Sequence, residues 1–431
     1  MARALVVADD LTGAMDSGHE FAARGFESVL ELGGENGKIA RDVCVVDTDS
    51  RSASAEKAAR AVETAIEAYP AEVLYKKIDS TLRGNLVPEI DAAIATSGAD
   101  LIVFAPAFPA TGRTTTEGTH LVDGAPVTEA FDGTNGLASA NLPTLLTDST
   151  YPIVECSIEE LKRGPEAIRE LLSGVERPAI VACDASEEDH LDTIARAAAA
   201  VDGDVLYVGS AGLARHVRLP ESRSTNDEPT GSAPSNSESE KSERAGTEKV
   251  LTVAGSANPR TIEQVTALPA DWVIGLDAAR AVVDPEAAGA AAGSQAIERL
   301  SDGKPAVVTS APDGGAIERA RDTGQAAGER EEVGERIERA LAAVAETVYA
   351  EDPPESLFLT GGASAVRVLR ELDARGIHLE GGAIERGVPV GRVVGGRADG
   401  VVLVTKAGGF GTERTIANCL ARLRQGTIDH E

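Results

Sequence analysis

Near its start the sequence reads Ala4-Leu5-Val6-Val7-Ala8-Asp9-Asp10-Leu11-Thr12-Gly13-Ala14-Met15-Asp16, in which an apolar run ends abruptly in two carboxylates, a hydroxyl and a glycine. A continuous apolar run is typical of a parallel strand that is buried on both faces, and ligands of open α/β sheets bind beyond the carboxyl ends of such strands. Adjacent carboxylates repel each other, so their pairing favours a site that holds a cation or a hydroxylated substrate. We therefore expect Asp9 and Asp10 to be functional. The alternative is that one of them only caps the helix that follows.

Similar apolar runs recur along the chain and alternate with helix-like stretches. The stretches 53–68 and 335–349 are alanine-rich and amphipathic, and such alternation is typical of βαβ units. We predict an α/β fold with two doubly wound domains, mainly parallel sheets and an active site in the cleft between them. The further predicted strands are 43–46, 73–75, 101–105, 179–182, 205–208, 250–253, 272–276, 306–308, 357–359 and 401–404.

The length and one polar segment predict the domain boundaries. A chain of 431 residues exceeds the size at which a single core stops growing. From 220 to 249 the sequence is rich in Ser, Glu, Gly and Pro and nearly devoid of apolar residues, a composition typical of a flexible linker. We predict a first domain over 1–219, a linker over 220–249 and a second domain over 250–431.

The charge of the chain excludes some partners. With 41 Lys and Arg against 70 Asp and Glu, the formal net charge is −29. Nucleic-acid binding needs clustered basic side chains, which this chain does not show, so we expect no nucleic-acid partner. Self-repulsion at this charge destabilises the compact state at low ionic strength, and salt screens the repulsion. The charge, the few lysines and the low aromatic content predict a halophilic protein.

The cysteines and the N-terminus indicate the compartment. The four cysteines lie far apart and mostly within apolar runs, which predicts buried thiols without a metal or redox role. The N-terminus shows no secretion signal, and no apolar run approaches a membrane-spanning length. We therefore expect a cytoplasmic protein that does not bind a membrane.

Polar side chains follow three further predicted strands of the first half. Arg51 follows the strand at 43–46, with a plain surface arginine as the alternative. Arg113 follows the strand at 101–105 and is a candidate second anion contact, whereas we assign no role in the site to His120. The strand at 73–75 leads into a turn that contains Asp79, Ser80, Thr81, Leu82 and Arg83.

The turn at 79–83 combines groups that few structural turns need together. Its arginine suits a carboxylate bound by two parallel hydrogen bonds, and Asp79, Ser80 and Thr81, together with the nearby Asn85, suit the hydroxyls of a small polyol. The alternative is that Ser80 caps a helix and Arg83 is solvated.

Glycine-rich turns follow three predicted strands of the second half. They are Ala254-Gly255-Ser256-Ala257-Asn258, Thr360-Gly361-Gly362-Ala363-Ser364 and Lys406-Ala407-Gly408-Gly409-Phe410-Gly411. Glycine lets the backbone approach phosphate oxygens, and a helix N-terminus favours negative charge. The sequence contains no GxxxxGK[ST] loop and no GxGxxG after the first strand.

A polyol-acid site and phosphate-binding turns on one chain favour phosphoryl transfer from a nucleotide to a sugar acid. We therefore predict that 1–219 is the substrate domain and that 250–431 is the nucleotide-binding domain. Two alternatives stay open. One is a sugar-acid dehydrogenase with an atypical cofactor loop, and the other is a non-catalytic two-domain protein that binds a sugar acid.

The motifs resemble those of the four-carbon acid sugar kinase family over nearly the whole chain. In the first half the resemblance rests on 8–16, on 77–85 and on 106–114. In the second half it rests on Gly255-Ser256, on Thr360-Gly361-Gly362 and on the turn at 406–411.

This resemblance implies phosphorylation of the terminal hydroxyl of a four-carbon sugar acid by ATP with Mg²⁺. It favours D-threonate or D-erythronate over a 3-oxo-tetronate, because of the form of residues 78–83. It places substrate contacts on Asp10, Arg51 and 79–83. Asp10 is our candidate for orienting or deprotonating the hydroxyl, and Asp9, Asp16 and Asp79 are the alternatives. The resemblance places ATP contacts on Ser256, Gly361, Gly362, Ala363, Ser364 and Gly408, to which we add Asn258.

The chain departs from the family pattern in two places. Gly361-Gly362-Ala363-Ser364 replaces the more usual Gly-Gly-Glu-Thr, so that a hydroxyl is retained at Ser364 but a carboxylate is missing at Ala363. The linker is also longer than expected. The metal ligands do not follow from the sequence, and the frequency of two-fold assemblies favours a homodimer.

Overall fold

The computed structural model describes residues 1–33, 41–130, 136–220, 246–313, 315–327, 332–385 and 387–427. The described residues form two compact units. The first contains 1–21, 26–28 and the described part of 40–231, and the second contains 22–25, 29–33 and the described residues from 246 onwards. Residues 221–245 of the predicted linker lie outside the described residues, and the predicted boundaries at 219 and 250 stay predictions.

Strands and helices alternate in the part of the chain up to residue 220. The strands are β1 (Ala2–Ala8), β2 (Ser28–Glu31), β3 (Val43–Asp47), β4 (Ala71–Lys77), β5 (Leu101–Ala105), β6 (Arg113–Thr116), β7 (Thr119–Val122), β8 (Ala125–Pro126), β9 (Ile153–Cys156), β10 (Ala179–Cys183) and β11 (Val205–Gly209). The helices are α1 (Leu11–Ala22), α2 (Ala55–Ala68), α3 (Leu86–Ser97), α4 (Leu142–Leu145), α5 (Ile158–Leu161), α6 (Pro165–Gly174), α7 (Glu188–Ala199) and α8 (Ala211–Ala214).

The same alternation continues from residue 250. The strands are β12 (Val250–Ala254), β13 (Val273–Gly275), β14 (Ala306–Thr309), β15 (Ser356–Thr360), β16 (Gly376–Glu385), β17 (Val388–Val394) and β18 (Val402–Lys406). The helices are α9 (Pro259–Thr266), α10 (Ala278–Val283), α11 (Pro285–Ser301), α12 (Ala316–Ala327), α13 (Val333–Glu351), α14 (Gly362–Glu371) and α15 (Thr415–Gln425).

The main sheet of the first unit is parallel, and β6, β7 and β8 form a separate antiparallel sheet. The order of the main sheet is β3-β1-β4-β11-β5-β10-β9. All residues of β5 and β10 are buried, as expected for strands covered on both faces. Because β3 and β4 lie on opposite sides of β1, the carboxyl end of β1 is a point of strand-order reversal, where ligands bind in such sheets.

The sheet of the second unit is mixed. Its order is β13-β14-β12-β15-β18-β17-β16-β2. The first five strands in this order, β13, β14, β12, β15 and β18, run parallel to one another. Strand β17 runs antiparallel to both β18 and β16. The predicted α/β class with mainly parallel sheets is confirmed, and the register aligns the ends of neighbouring strands at Ala254, Thr360 and Lys406.

Candidate functional site

Three strand ends of the first unit bring their polar residues together. Register places Ala8 beside both Asp47 and Lys77, so that the loops after β1, β3 and β4 begin side by side. The backbone N–H groups of Ser50 and Arg51 donate to the carbonyl of Asp9 at 3.0 and 3.2 Å. The loop after β3 is therefore fixed directly to the loop after β1.

Arg51 lies at the centre of three carboxylates. Its Nε and Nη2 donate to the two oxygens of Asp9 at 2.8 and 2.9 Å, and its Nη1 donates to Oδ2 of Asp10. Nη2 also lies 3.7 Å from Oδ1 of Asp79. Arg51 is therefore not a plain surface arginine, and its guanidinium offsets the repulsion between adjacent carboxylates.

Asp9 and Asp10 differ in their electrostatic state. Burial alone would raise the pKa of Asp9, but the charge and hydrogen bonds of Arg51 hold it below its ordinary value. Burial raises the pKa of Asp10, the charge of Arg51 opposes this rise, and the charge of Asp9 adds to it. The Asp9 side chain is 3% exposed and the Asp10 side chain 21%, so Asp10 is the more reachable of the two.

Asp10 also caps helix α1. Its Oδ1 accepts the backbone N–H of Gly13 at 2.7 Å, which is the usual bond from an N-cap side chain to the first turn. The capping interpretation is therefore correct for Asp10, and its second oxygen contacts Arg51. Asp9 makes a fork with Arg51 instead.

The turn after β4 is held by its own side chains. Arg83 donates from Nε and Nη2 to the two oxygens of Asp79 at 2.6 and 3.1 Å, and the Thr81 hydroxyl donates to the same carboxylate. Burial would raise the pKa of Asp79, but Arg51 and Arg83 hold it well below its ordinary value. The fork that we predicted for a substrate carboxylate thus binds Asp79 within the chain. The Arg83 side chain is still 47% exposed.

Ser80 and Leu82 have mainly backbone roles in this turn. Leu82 is buried and has a φ of 62°, a left-handed conformation that a bulky residue rarely adopts. The carbonyl of Ser80 accepts a hydrogen bond from Nε2 of His120 at 2.9 Å, while Nδ1 of the same ring lies 2.9 Å from the Thr115 hydroxyl. His120 is fully buried, and burial lowers its pKa. This histidine, to which the sequence assigned no role, supports the turn from the β6–β7 hairpin.

Arg113 is the first residue of β6 in this hairpin, and within the described residues its side chain makes no hydrogen bond to the carboxylates. Its Nη1 donates to the carbonyl of Thr111, and its buried Nε has no hydrogen-bond partner within the described part of the chain. The predicted second anion contact therefore stays a prediction.

A buried network below the carboxylates was not predicted. Lys76 and Glu89, 0% and 2% exposed, form an ion pair of 2.8 Å between β4 and α3. The other oxygen of Glu89 accepts the Ser50 hydroxyl at 2.5 Å, and Asn85 donates to the carbonyl of Ser50 at 2.9 Å. The network fixes the residue next to Arg51. The sequence signal for this network is a lysine directly after the apolar run at 73–75.

Lys77 is a second buried cation, directly beside the carboxylates. Its Nζ donates to the carbonyl of Ile78 at 2.6 Å, and a side chain at Gly13 would meet both Lys77 and Asp10. Its charge helps to lower the pKa of Asp9 and partly offsets the rise that burial causes in the pKa of Asp10 and Asp16. A larger residue at position 13 would therefore displace the end of the Lys77 or Asp10 side chain.

The three glycine-rich turns of the second unit meet one another. The backbone N–H of Asn258 donates to the Ser256 hydroxyl at 3.2 Å. A side chain at Gly408 would overlap Ser256, one at Gly255 would overlap Ser364, and one at Gly361 would lie 3.0 Å from the Ser256 nitrogen. These glycines permit the turns to pack against each other. Close packing therefore explains why glycine occupies these positions, whether or not a phosphate binds there.

Two of these turns begin helices. Asn258 caps α9 by accepting the backbone N–H of Arg260 at 2.9 Å, and Gly361, with a φ of 100°, precedes the first residue of α14. A side chain added at Gly362 would meet no neighbouring atom, and Ala363 is exposed. All seven predicted nucleotide contacts thus lie in one group of turns where helix N-termini favour an anion.

The described residues contain no group of three or more His, Cys, Asp or Glu side chains arranged to hold a metal ion. All four cysteines are buried free thiols, as predicted. None of the helices in the described ranges is long and apolar enough to span a membrane.

Both halves of the chain match models of known protein families. Residues 4–217 match the family model of a sugar-binding N-terminal domain, and residues 251–416 match that of a nucleotide-binding C-terminal domain. A solved structure of a protein from Salmonella typhimurium LT2 is similar with a TM-score of 0.73. It covers 98% of this chain and 99% of its own, and at 22% identity it supports the fold alone.

Curated relatives are similar over nearly their full length. The D-threonate kinase of Salmonella typhimurium is 33% identical over 96% of this chain and 97% of its own. The D-erythronate kinase of Heliobacterium modesticaldum is 30% identical over 97% of each chain. The 3-oxo-tetronate kinase of Methylobacterium radiotolerans is 32% identical over 94% of this chain and 95% of its own. The chain therefore belongs to the four-carbon acid sugar kinase family.

Proposed function

We propose that this protein transfers the terminal phosphoryl group of ATP to the terminal hydroxyl of a four-carbon sugar acid, with D-threonate or D-erythronate as the favoured substrate. The observation that carries this proposal is the carboxylate cluster around Arg51 at the strand ends of a unit that matches a sugar-binding domain. The relatives named D-threonate and D-erythronate kinase support the substrate class.

In this proposal Asp10 acts on the substrate hydroxyl. Its side chain is more exposed than that of Asp9, and burial raises its pKa. A base whose pKa lies closer to neutral pH takes up a proton more effectively in the transition state. Asp10 accepts the proton of the terminal hydroxyl while the hydroxyl oxygen bonds to phosphorus. The bond from phosphorus to the bridging oxygen breaks, and ADP leaves.

Arg51 and Arg83 have different parts in the proposal. Arg51 donates three hydrogen bonds to Asp9 and Asp10, so we assign it the role of keeping these carboxylates together. Arg83 is the more exposed guanidinium, and its fork with Asp79 leaves Nη1 for an anion. We assign substrate contacts to Asp79, Ser80, Thr81 and Arg83, and keep Arg113 as a second anion contact.

The turns of the second unit fit a nucleotide. Their closely packed glycines, the hydroxyls of Ser256 and Ser364 and the N-termini of α9 and α14 provide a polar surface suited to phosphate oxygens. When bound, ATP supplies the phosphoryl group. Mg²⁺ keeps several waters and binds through phosphates and one or two carboxylates, so we propose that it binds together with ATP.

A substrate panel tests the proposal. ADP release is measured at molar KCl with ATP and Mg²⁺ against D-threonate, D-erythronate, L-threonate and a 3-oxo-tetronate. We expect turnover with D-threonate or D-erythronate that exceeds turnover with the other acids. Absence of ADP release with every acid, from protein shown to be folded in that salt, would contradict the proposal. Reduction of NAD⁺ in place of ADP release would identify a dehydrogenase.

A further inference from the structure

Lys406 does not have the orientation expected of a phosphate-binding lysine. It ends β18 and is 1% exposed. Its Nζ donates to the carbonyl oxygens of Ala407 at 2.6 Å, Gly408 at 3.3 Å and Phe410 at 3.2 Å. An ammonium group has three donors. All three are thus used on the backbone of the turn, and none is left for an anion.

Two buried side chains of α9 also donate hydrogen bonds to carbonyl groups of this turn. The Thr261 hydroxyl donates to the carbonyl of Gly408 at 2.7 Å. Nε2 of Gln264 donates to the carbonyls of Phe410 at 3.0 Å and Thr412 at 2.7 Å. Thr261 and Gln264 are 1% and 0% exposed. Burying donors of this kind is favourable only when they are hydrogen-bonded, so these contacts fix the turn.

The direction of the carbonyl groups determines that of the amides. In a planar trans peptide the C=O and the following N–H point in opposite directions, and the described peptides of this turn are trans. The carbonyls of Ala407, Gly408 and Phe410 face the buried donors. The N–H groups of Gly408, Gly409 and Gly411 therefore face away from them, and they have no acceptor within the described residues.

We propose that Lys406, Thr261 and Gln264 are positioning residues that orient the amides of Gly408 and Gly409 to bind the phosphate chain of the nucleotide. This inference rests on the proposed function and deepens it. Burial lowers the pKa of Lys406 to about 8, which leaves the ammonium form predominant at neutral pH. Lys406 thus acts through the backbone and does not touch the nucleotide.

The experiment compares Thr261→Val with Thr261→Ser in the full chain. Valine keeps the shape of the side chain but removes the donor to Gly408, whereas serine keeps the donor. Thr266→Val is the matched control, because the exposed Thr266 hydroxyl donates only to the carbonyl of Ile262 within α9. Dissociation constants for ADP, tripolyphosphate and adenosine are measured by calorimetry at one fixed salt concentration.

We expect Thr261→Val to weaken ADP and tripolyphosphate binding by about 3- to 10-fold, the usual effect of one lost hydrogen bond. Adenosine binding is expected to stay unchanged, and Thr261→Ser and Thr266→Val to bind like the wild type. We expect Lys406→Met to weaken ADP binding more than Thr261→Val. If Lys406→Met does not fold, the two Thr261 variants carry the test.

Three results would overturn the inference. They are equal ADP affinity in Thr261→Val and the wild type, equal losses for adenosine and ADP, and no binding of ADP or tripolyphosphate by the folded wild type. Binding is measured without turnover, so the two proposals fail separately. If ADP binds with the expected dependence on Thr261 but no sugar acid is phosphorylated, the proposed function fails and the positioning role stands.

Discussion

At the scale of single residues, one guanidinium gives two neighbouring aspartates different properties. Arg51 makes a two-bond fork with Asp9 but a single bond with Asp10, whose other oxygen caps α1. The pKa of Asp9 is lowered and that of Asp10 is raised. Divergent pKa values of adjacent acids are a common way of assigning one to structure and the other to proton transfer.

We predict that Asp10→Asn lowers kcat by about 10²- to 10⁴-fold, the usual contribution of a positioned base. Asparagine is as good an N-cap as aspartate, so helix α1 is expected to persist. The measurement is ADP release with saturating D-threonate. The exposed Asp202→Asn serves as the control and is expected to retain full activity. A kcat within twofold of the wild type for Asp10→Asn would exclude this residue as the base.

We predict that Asp16→Asn stabilises the protein increasingly as the pH rises from 5 to 8. Burial raises the pKa of Asp16 to about 7, against an ordinary value of 3.8. Between these values the folded state holds a proton that the unfolded state has lost, so the contribution of Asp16 to stability falls as the pH rises. Melting temperatures of both proteins at pH 5 and pH 8 test this. The difference between them should be small at pH 5 and larger at pH 8, and a constant difference would contradict the prediction.

At the scale of elements, an ion pair joins β4 to α3 beneath the site. Lys76 and Glu89 are both buried, and Glu89 also accepts the Ser50 hydroxyl. Removing one partner of a buried pair leaves an uncompensated charge, which costs about 3–5 kcal/mol. We predict a loss of this size for Lys76→Met in urea unfolding followed by circular dichroism.

The double variant Lys76→Met/Glu89→Gln provides the complementary result. Glutamine keeps an acceptor for Ser50 without a charge, so we expect this variant to be more stable than Lys76→Met alone. The exposed Lys57→Met is the control, with an expected change within about 0.5 kcal/mol. If Lys76→Met is as stable as Lys57→Met, the pair does not stabilise the first unit.

The sequence predicts the parallel strands well and the antiparallel ones poorly. Strand β5 coincides with the apolar run at 101–105, because a strand covered on both faces is apolar throughout. Strand β16 contains Gly381 and has irregular register with β17, so its apolar pattern is interrupted. The short β2 has only two adjacent apolar residues, Val29 and Leu30, between polar ends, too short an apolar run to be recognised as a strand.

The residues of the candidate site that follow parallel strands could also be predicted from the sequence. Asp9, Asp10, Arg51 and Asp79 were predictable because neighbouring parallel strands end at the same edge of a sheet. The role of His120 was not predictable, because its hydrogen bond to the carbonyl of Ser80 joins residues that are 40 positions apart. Local sequence carries no information on such a pair.

At the scale of the whole molecule, the arrangement of units differs from the order of the sequence. Residues 29–33 group with the second unit although they precede most of the first, and the N–H of Leu32 donates to the carbonyl of Arg375 at 3.0 Å. This long-range pairing leaves no mark in composition. The α/β class was predictable because strands and helices alternate in both halves.

We predict that stability depends on salt. With a net charge of −29, repulsion between surface carboxylates opposes folding, and molar salt reduces the screening length from about 10 Å to about 3 Å. The melting temperature should rise by roughly 5 °C or more between 0.1 and 2 M KCl. Differential scanning calorimetry measures this change, and a melting temperature that is independent of KCl would contradict the prediction of a halophilic protein.

The most direct test of the proposed activity is the structure of the product. Phosphorus NMR of a reaction containing D-threonate, ATP and Mg²⁺ distinguishes esters of the terminal and secondary hydroxyls. An ester at the terminal carbon couples to two protons and gives a triplet, which is the result we predict. A doublet would place the phosphate on a secondary hydroxyl. The absence of any new phosphomonoester, with D-erythronate as well, would contradict a sugar-acid kinase.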